Sequence, residues 1–200
     1  MTFLGRAVVI AGTPGTGKKT VGSVLSSKCG LPVVNLSTAS LEEGLVAYYD
    51  EERETYVIDE EKVAKYVFEL VQRSSKTVVI LTHYPEIIPR ELVAAVFILR
   101  THPLELERRL KSRGWSSRKV NENVMAEILG IVAYNALQAF GTEIVNELDT
   151  TNSTPDQIAD VICKVIEGKH VMKPGVEIDW LSQLPLEELS RFEDYEGSDK

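Results

Sequence analysis

Glycine and lysine residues suited to binding phosphate lie close together near the start of the sequence. Residues 12–18 read Gly-Thr-Pro-Gly-Thr-Gly-Lys, follow a short apolar run and precede a helical pattern. In this context glycines let backbone N–H groups point at a β-phosphate, and the start of the helix adds positive potential. The groups predicted to hold phosphates are the Lys18 side chain and the backbone of Gly15, Gly17, Lys19 and Thr20.

The position after Lys18 differs from the usual phosphate-binding loop. A serine or threonine normally follows the lysine and binds Mg²⁺ through its hydroxyl. Lys19 stands there instead, and Thr20 comes next. Successive helix residues are rotated by about 100°, so Thr20 is not an equivalent ligand. The sequence leaves direct hydroxyl ligation of Mg²⁺ open.

Charge is distributed unevenly along the chain. The 200 residues carry 22 basic and 30 acidic side chains, a formal net charge of −8. This balance disfavours general nucleic-acid binding but suits a basic protein partner. Residues 42–61 contain nine acids and one base, Arg53, whereas residues 100–119 contain seven bases and two acids. The basic stretch is either a local anion site or a solvated helix face.

The two cysteines and the start of the sequence bear on the compartment. Cys29 and Cys163 can form at most one disulfide, which nothing in the sequence supports. We therefore predict that Cys29 packs or adjoins the helix cap and that Cys163 lies in the core, in a reducing compartment. The first apolar run is too short for a signal peptide or a membrane span. We expect a soluble, cytoplasmic protein.

Alternating patterns predict the elements that position these residues. Continuous apolar runs indicate buried strands at residues 7–11, 33–34, 78–81 and 94–99, with a weaker candidate at 144–147. Helical patterns occupy residues 18–28, 60–73, 104–113, 120–140 and 155–167. Runs without alternation are typical of parallel strands covered on both faces. The sequence therefore predicts an α/β fold with a doubly wound parallel sheet flanked by helices.

The pattern changes after residue 168. Lys173-Pro174-Gly175 predicts a turn, and residues 176–189 predict a short strand and a helix anchored by Trp180 and Leu184. Residues 191–200 are acidic and expected to fray. We expect one domain over residues 1–170 and a C-terminal extension with an acidic tail over residues 171–200.

Several sequence blocks resemble one protein family. They are residues 34–36, 49–52, 58–63, 98–101, 109–110, 113–115, 121–128, 149–152 and 175–180. The loop itself has the form Gly-x-Pro-Gly-x-Gly-Lys-x-Thr of adenylate kinases, where the residue after the lysine is commonly glycine and threonine follows. In order and over nearly the whole chain, these blocks resemble archaeal members of the adenylate kinase isoenzyme 6 family.

This resemblance implies a fold, cofactors and partners. The fold would be a five-stranded P-loop NTPase of the nucleoside monophosphate kinase type, with a monophosphate arm at about 35–58 and a lid at about 112–122. ATP and Mg²⁺ would be the cofactors, and the activities would be γ-phosphoryl transfer to AMP or another nucleoside monophosphate, and ATP hydrolysis. The family also binds a basic ribosomal protein of the small-subunit platform and acts in small-subunit assembly and rRNA maturation. The small-subunit precursor particle would be a further partner. Its members are monomers by default.

The resemblance also assigns site residues. Lys18, His83 and Arg113 would be catalytic, and Arg113 would contact ATP. His83 is otherwise a polar residue at a strand end without a chemical role. Arg109 and Arg118 would help to cover the phosphates, although an ion pair with Glu105, four residues earlier, is the favoured interpretation of Arg109. We assign no residue as a metal ligand.

The third predicted strand departs from the family pattern. Members end this strand Asp-x-His, and the aspartate organises water around Mg²⁺. Here Leu81 takes the aspartate position and His83 remains. Glu86 and Asp59 are the candidate replacements. Because phosphoryl transfer depends on positioned charge, this loss is expected to affect catalysis.

The predicted arm departs as well. Leu41 stands where members often carry an arginine that meets the acceptor phosphate, and Arg53 is the candidate substitute. An arm poor in arginine is expected to hold AMP weakly and to suit a basic protein instead.

Three hypotheses follow, of which the first is preferred; Leu41 and Leu81 favour the first and the third over the second. The first is an ATPase and kinase that works mainly in small-subunit assembly. The second is a nucleotide-salvage kinase without a ribosomal partner, and the third is a nucleotide sensor with little turnover. Substitution of Lys18 and tests of partner binding separate them.

Overall fold

The computed structural model describes residues 6–51 and 55–193. Its strands are β1 (Ala7–Ala11), β2 (Val33–Asn35), β3 (Val46–Asp50), β4 (Thr55–Ile58), β5 (Val78–Leu81), β6 (Val93–Arg100) and β7 (Val145–Asp149). Its helices are α1 (Lys18–Cys29), α2 (Leu36–Glu42), α3 (Glu60–Arg73), α4 (Pro103–Lys111), α5 (Ser117–Ile128), α6 (Ile131–Phe140), α7 (Pro155–Ile166), α8 (Trp180–Gln183) and α9 (Leu186–Ser190). Two short 3₁₀ turns, Pro85–Ile87 and Arg90–Leu92, lie between β5 and β6.

The central sheet has five parallel strands in the order β2-β5-β1-β6-β7. Successive residues of β1 point to opposite faces, and both faces are covered. Val9 packs in a core with α3 and α6, whereas Val8 and Ile10 pack in a core with α1 and α7. Double coverage explains why these strands are continuously apolar. The predicted five-stranded parallel sheet flanked by helices is confirmed.

The segment between β2 and α3 contains elements that periodicity did not predict. Helix α2 follows β2 directly, with the Asn35 side chain capping it by accepting from Thr38 N at 3.0 Å. Strands β3 and β4 then form a separate antiparallel pair, in which Tyr49 lies opposite Tyr56. Arg53, the candidate substitute for the missing arginine, lies outside the described residues.

The helix predicted over residues 120–140 is two helices. Helix α5 ends at Ile128 and α6 begins at Ile131, because Gly130 adopts a left-handed conformation with φ of 64°. The prediction of a single helix was wrong because the apolar period continues on both sides of the break. The adjoining helix α4 spans Pro103–Lys111, two residues short of its predicted end.

The prediction for the cysteines was wrong in one respect. Cys29 at the end of α1 and Cys163 on α7 form a disulfide, with their Cα atoms 6.6 Å apart. Cys163 is buried in the core shared by α1 and α7, as expected. The 134-residue separation gave no local signal for the bond.

The C-terminal segment returns to the edge of the sheet. Gly175 bridges to Asn146 of β7 as an isolated pair in place of the predicted strand, and two short helices, α8 and α9, follow. Trp180 and Leu184 are buried, as predicted for anchors. Of the acidic tail, residues 194–200 lie outside the described part of the chain.

Candidate functional site

The loop between β1 and α1 has the conformation of a phosphate cradle. Gly12 and Gly15 have φ of 145° and 101°, which favours glycine. A Cβ on Gly12 would lie 2.5 Å from Leu99 O, and one on Gly15 would lie 2.6 Å from Leu106 Cδ1. Both glycines are therefore required by the backbone conformation of the loop and by its close packing against β6 and α4.

Helix α1 presents free amide groups to the loop. Gly17 caps the helix in a left-handed conformation, and the first intrahelical bond runs from Val21 N to Gly17 O at 3.0 Å. The N–H groups of Lys18, Lys19 and Thr20 thus precede the helical hydrogen-bond pattern. A helix start with free amides and no acidic first turn favours an anion.

Lys18 folds back onto the loop. Its Nζ donates to Gly12 O at 2.5 Å and to Thr13 O at 3.0 Å. Burial lowers the pKa of Lys18 to about 7, and the charges of Arg113 and Lys19 act in the same direction. The Glu127 carboxylate opposes this shift. The Lys18 amine therefore contacts two neutral backbone carbonyls.

A large open cavity of about 890 Å³ adjoins the loop. Thr13 and Pro14 line one wall, and the turn before α5 supplies Trp115 and Ser116. Lys119 also lines it, with Nζ 5.0 Å from the centroid of the Trp115 ring. This volume suits a nucleotide-sized ligand.

A smaller cavity of about 150 Å³ lies beneath α2 and the β3–β4 pair. It shares the lining residues Thr55, His83 and Tyr84 with the large cavity. Among the described residues that line it there is no lysine or arginine. Ser40, which lines it, is 2% exposed, and its hydroxyl has no hydrogen-bond partner within the described chain.

His83 stands where the two cavities meet. Its ring centroid lies 4.0 Å from that of Tyr84. Burial, followed by the Lys18 charge, lowers the pKa of His83 to about 4. The imidazole is therefore neutral at physiological pH and a weak base. It is suited to orienting a hydroxyl or a water by hydrogen bonding.

The three arginines predicted to cover the phosphates differ in their partners, and only Arg118 of the three lines the large cavity. Arg109 donates from Nε to Glu105 Oε1 at 2.8 Å and from Nη2 to Thr150 O at 3.1 Å, so its ion pair with Glu105 is confirmed. Arg118, which lines the cavity, pairs with Glu122 at 3.1 Å. Arg113 is exposed, has no ion-pair partner among the described residues, and lies near enough to depress the pKa of Lys18. Of the three, Arg113 is the one with a side chain free to meet a phosphate.

The comparisons with known proteins agree with this geometry. A family model described as AAA domain matches residues 8–130, which include the loop, both glycines and helix α5. The chain belongs to this family. It is a nucleotide-binding protein of the P-loop type with a kinase-like fold.

Relatives of similar length support the same placement. The chain is 35% identical over 182 residues to a protein of Sulfurisphaera tokodaii named "Putative adenylate kinase", covering 91% of this chain and 89% of the relative. It is 36% identical over 190 residues to a protein of the same name from Saccharolobus solfataricus, covering 92% and 95%. Shikimate kinase from Acinetobacter baumannii in complex with shikimate shares the fold, with a TM-score of 0.58 at 16% identity, covering 84% of this chain and 96% of that one.

Neither candidate replacement for the aspartate at Leu81, Asp59 or Glu86, lines the large cavity. Leu81 is buried, and a Cβ on Gly22 of α1 would lie 2.7 Å from its Cδ1, so it packs in the core. Asp59 caps α3, and Glu86 accepts from Asn135 Nδ2 at 2.8 Å. Neither lines the large cavity, which Glu51 and Glu122 do. Residues 6–51 and 55–193 contain no cluster of three metal-binding side chains.

The residues fit ATP better than they fit a protein-bound metal. A Cβ on Gly17 would meet no atom within 4 Å, so the loop has open space beside this residue. Thr20 is exposed one residue beyond the usual hydroxyl ligand. Mg²⁺ commonly keeps several waters and binds through substrate phosphates. Any Mg²⁺ here would depend mainly on the phosphates of ATP.

The residues that support the loop were not predicted from the sequence. Thr13 donates its hydroxyl to Glu127 Oε2 at 2.6 Å, and Glu127 also accepts from Arg100 Nε at 2.8 Å. Glu127 and Arg100 are 2% and 1% exposed. Both belong to blocks that carry the family resemblance, but buried charges cannot be told from surface charges by composition.

No helix within residues 6–51 or 55–193 is both long and apolar enough to cross a bilayer.

Proposed function

We propose that the protein transfers the γ-phosphoryl group of ATP to a nucleoside monophosphate, with AMP as the first candidate. The observation that carries this proposal is the arrangement of two cavities that share Thr55, His83 and Tyr84 beside the phosphate loop. A donor in the large cavity and an acceptor in the small one would approach each other at His83. The names of the archaeal relatives support the same reaction.

The chain's own groups would hold the donor. The free amides at the start of α1 and the Lys18 ammonium would bind the β- and γ-phosphates. Arg113, together with Lys119 at the cavity wall, would neutralise charge on the transferred group. The residues of the proposed lid, 112–122, form the turn after α4 and the first half of α5. They would exclude water from the large cavity. Mg²⁺, carried in on ATP, would shield the phosphate oxygens.

The acceptor would be recognised mainly through its base. The small cavity is lined by the proposed arm, residues 35–58, and by residues 82–87 that follow β5, and the buried Ser40 hydroxyl on its wall has no partner in the described chain. Leu41, in place of the family's arginine, is 53% exposed and supplies no charge for the acceptor phosphate. We therefore expect AMP to bind weakly and the acceptor range to be broad.

A second candidate function follows from the surface of the proposed arm. Tyr48, Tyr49 and Tyr56 are 60%, 48% and 52% exposed, and the acidic side chains Glu42, Glu43 and Glu51 are exposed on the same segment. Aromatic rings among carboxylates suit lysine and arginine side chains. This favours a basic protein partner, such as a small-subunit platform protein, with ATP hydrolysis driving its release during ribosome assembly and rRNA maturation. In that role the protein would act as a monomer in the cytoplasm.

One assay separates these functions. Purified protein is incubated with Mg-ATP alone and with AMP, CMP, GMP or UMP, and the products are separated by chromatography. The kinase proposal predicts ADP formation that depends on an acceptor. Acceptor-independent ADP and phosphate would favour the assembly ATPase. In both cases Lys18→Ala must lose the activity, and a wild type that binds ATP without any turnover would be a nucleotide sensor.

The basic partner is tested separately. Binding of a purified basic small-subunit platform protein is measured with Mg-ADP, with a non-hydrolysable ATP analogue and without nucleotide. The assembly role predicts an affinity that changes with the nucleotide and falls when Glu42 and Glu43 are changed to Gln. An unchanged affinity across these conditions would contradict it.

A further inference from the structure

A buried carboxylate supports the phosphate loop from behind. Glu127 lies on α5 and is 2% exposed. Its Oε2 accepts from the Thr13 hydroxyl at 2.6 Å, while Oε1 accepts from Arg100 Nε at 2.8 Å and from Thr101 N at 3.0 Å. Both oxygens are therefore engaged, and the one facing the loop is bound by a loop residue.

Thr13 transmits this contact to the groups that face a nucleotide. Its carbonyl accepts from Lys18 Nζ at 3.0 Å and from the Thr16 hydroxyl at 2.9 Å. Thr13 thus contacts Thr16 and, together with the Gly12 carbonyl at 2.5 Å, Lys18. Lys18 must leave this carbonyl to reach a phosphate, and the Thr13–Glu127 hydrogen bond holds the loop in place when it does.

The same network continues to the C-terminal segment, residues 175–180. Arg100 also pairs through Nη1 with Glu147 Oε1, and Glu147 Oε2 accepts from the backbone N–H groups of Glu177 and Ile178 at 2.7 and 2.8 Å. Trp180 Nε1 donates to Glu127 Oε1 at 3.3 Å. One carboxylate is therefore shared between the phosphate loop and this segment.

The charge balance makes the segment part of the network. Glu127 and Glu147 share the single guanidinium of Arg100, and all three side chains are at most 5% exposed. A buried charge is tolerated when hydrogen bonds satisfy it. The N–H groups of residues 177 and 178 and the indole of Trp180 supply three of the donors. Movement of segment 175–180 would remove these donors and disturb Glu127.

We propose that Glu127 is a positioning residue for the phosphate loop, and that through it bound nucleotide and the C-terminal segment 175–180 stabilise each other. The inference rests on nucleotide binding at the loop. Coupling between two sites is reciprocal, so an interaction that helps the loop hold a nucleotide is strengthened when the nucleotide is bound. Trp180 lines neither cavity, so this segment would act on the site only through the network.

The test uses a pair of matched loop variants in the full chain. Thr13→Val removes the hydroxyl that donates to Glu127 but keeps the shape of the side chain, whereas Thr13→Ser keeps the hydroxyl. Calorimetry of Mg-ADP binding should show a Kd raised by about tenfold in Thr13→Val, because a hydrogen bond to a charged group is lost. Thr13→Ser should stay within about twofold of the wild type.

A second readout separates coupling from a merely structural role. Amide hydrogen exchange of residues 177 and 178 should slow when Mg-ADP binds to the wild type and to Thr13→Ser. In Thr13→Val saturated with Mg-ADP, the nucleotide should no longer slow it. Equal Kd values for Thr13→Val and the wild type would overturn the inference. So would an exchange rate of residues 177 and 178 in the wild type that does not change when Mg-ADP binds. No Mg-ADP binding by the wild type would instead overturn nucleotide binding itself.

Discussion

The charge state of Lys18 is the residue-scale feature with the clearest consequence for ligand binding. Its surroundings in the nucleotide-free protein lower its pKa to about 7. Phosphate groups favour the charged amine and must raise that pKa on binding. Above pH 7, binding should therefore take up a proton at Lys18, and affinity should fall as pH rises.

This proton uptake is a testable prediction. Mg-ADP binding is measured by calorimetry at pH 8 in two buffers with different ionisation enthalpies. For each proton taken up, the two binding enthalpies should differ by the difference between those ionisation enthalpies, with an upper limit of one proton. At pH 6 the heats should agree much more closely. Lys18→Arg is the matched control, since its guanidinium stays charged and takes up no proton. Identical heats at pH 8 in the wild type would show that Lys18 is already charged.

Ser40 gives a second prediction at this scale. Its buried hydroxyl lacks a partner in the described chain, which costs stability unless a ligand supplies one. Ser40→Ala should raise KM for the nucleoside monophosphate about two- to tenfold and leave KM for ATP unchanged. It should also leave the melting temperature equal or higher. Ser37→Ala, which changes an exposed residue of the same cavity, should leave both the KM for the nucleoside monophosphate and the melting temperature unchanged.

At the scale of elements, the disulfide between α1 and α7 connects the helix that begins at the phosphate loop to the last large helix of the domain. Closing a long stretch of chain restricts the unfolded state and typically stabilises a protein by about 2–4 kcal/mol. Reduction, or Cys163→Ser, should lower the melting temperature by several degrees. Free thiols in the purified, unreduced protein together with no change on reduction would contradict the bond.

The elements also show what could be predicted from sequence. The parallel strands were predicted because burial on both faces makes β1 and β6 continuously apolar. Helix α2 and the β3–β4 pair were missed because their exposed tyrosines and acids show no regular apolar period. The break at Gly130 was missed for the opposite reason, since apolar residues flank it on both sides.

The site divides in the same way. The glycines and Lys18 of the loop were predictable because only those residue types satisfy its backbone and its ligand. Arg113 and His83 came from the family resemblance, and their catalytic roles stay predictions. Glu127 and Arg100 could not be assigned from sequence, because their role depends on packing between β6, α5 and a segment some fifty residues further along.

At the scale of the whole molecule, a P-loop kinase fold carries a smaller cavity that no described lysine or arginine lines, with an acidic, aromatic surface beside it. These features lead to opposite expectations for turnover. A cavity that still admits a monophosphate gives a kinase, whereas one that does not leaves water as the acceptor. The products of the reaction distinguish the two outcomes directly.

The most direct test of the central claim is the stoichiometry of that reaction. ATP, ADP, AMP and phosphate are quantified together by chromatography while the wild type acts on Mg-ATP with excess AMP, with Lys18→Ala as the control. Phosphoryl transfer predicts two ADP molecules for each ATP consumed, an equal loss of AMP, and no release of phosphate. One ADP and one phosphate for each ATP, with AMP unchanged, would contradict the kinase proposal.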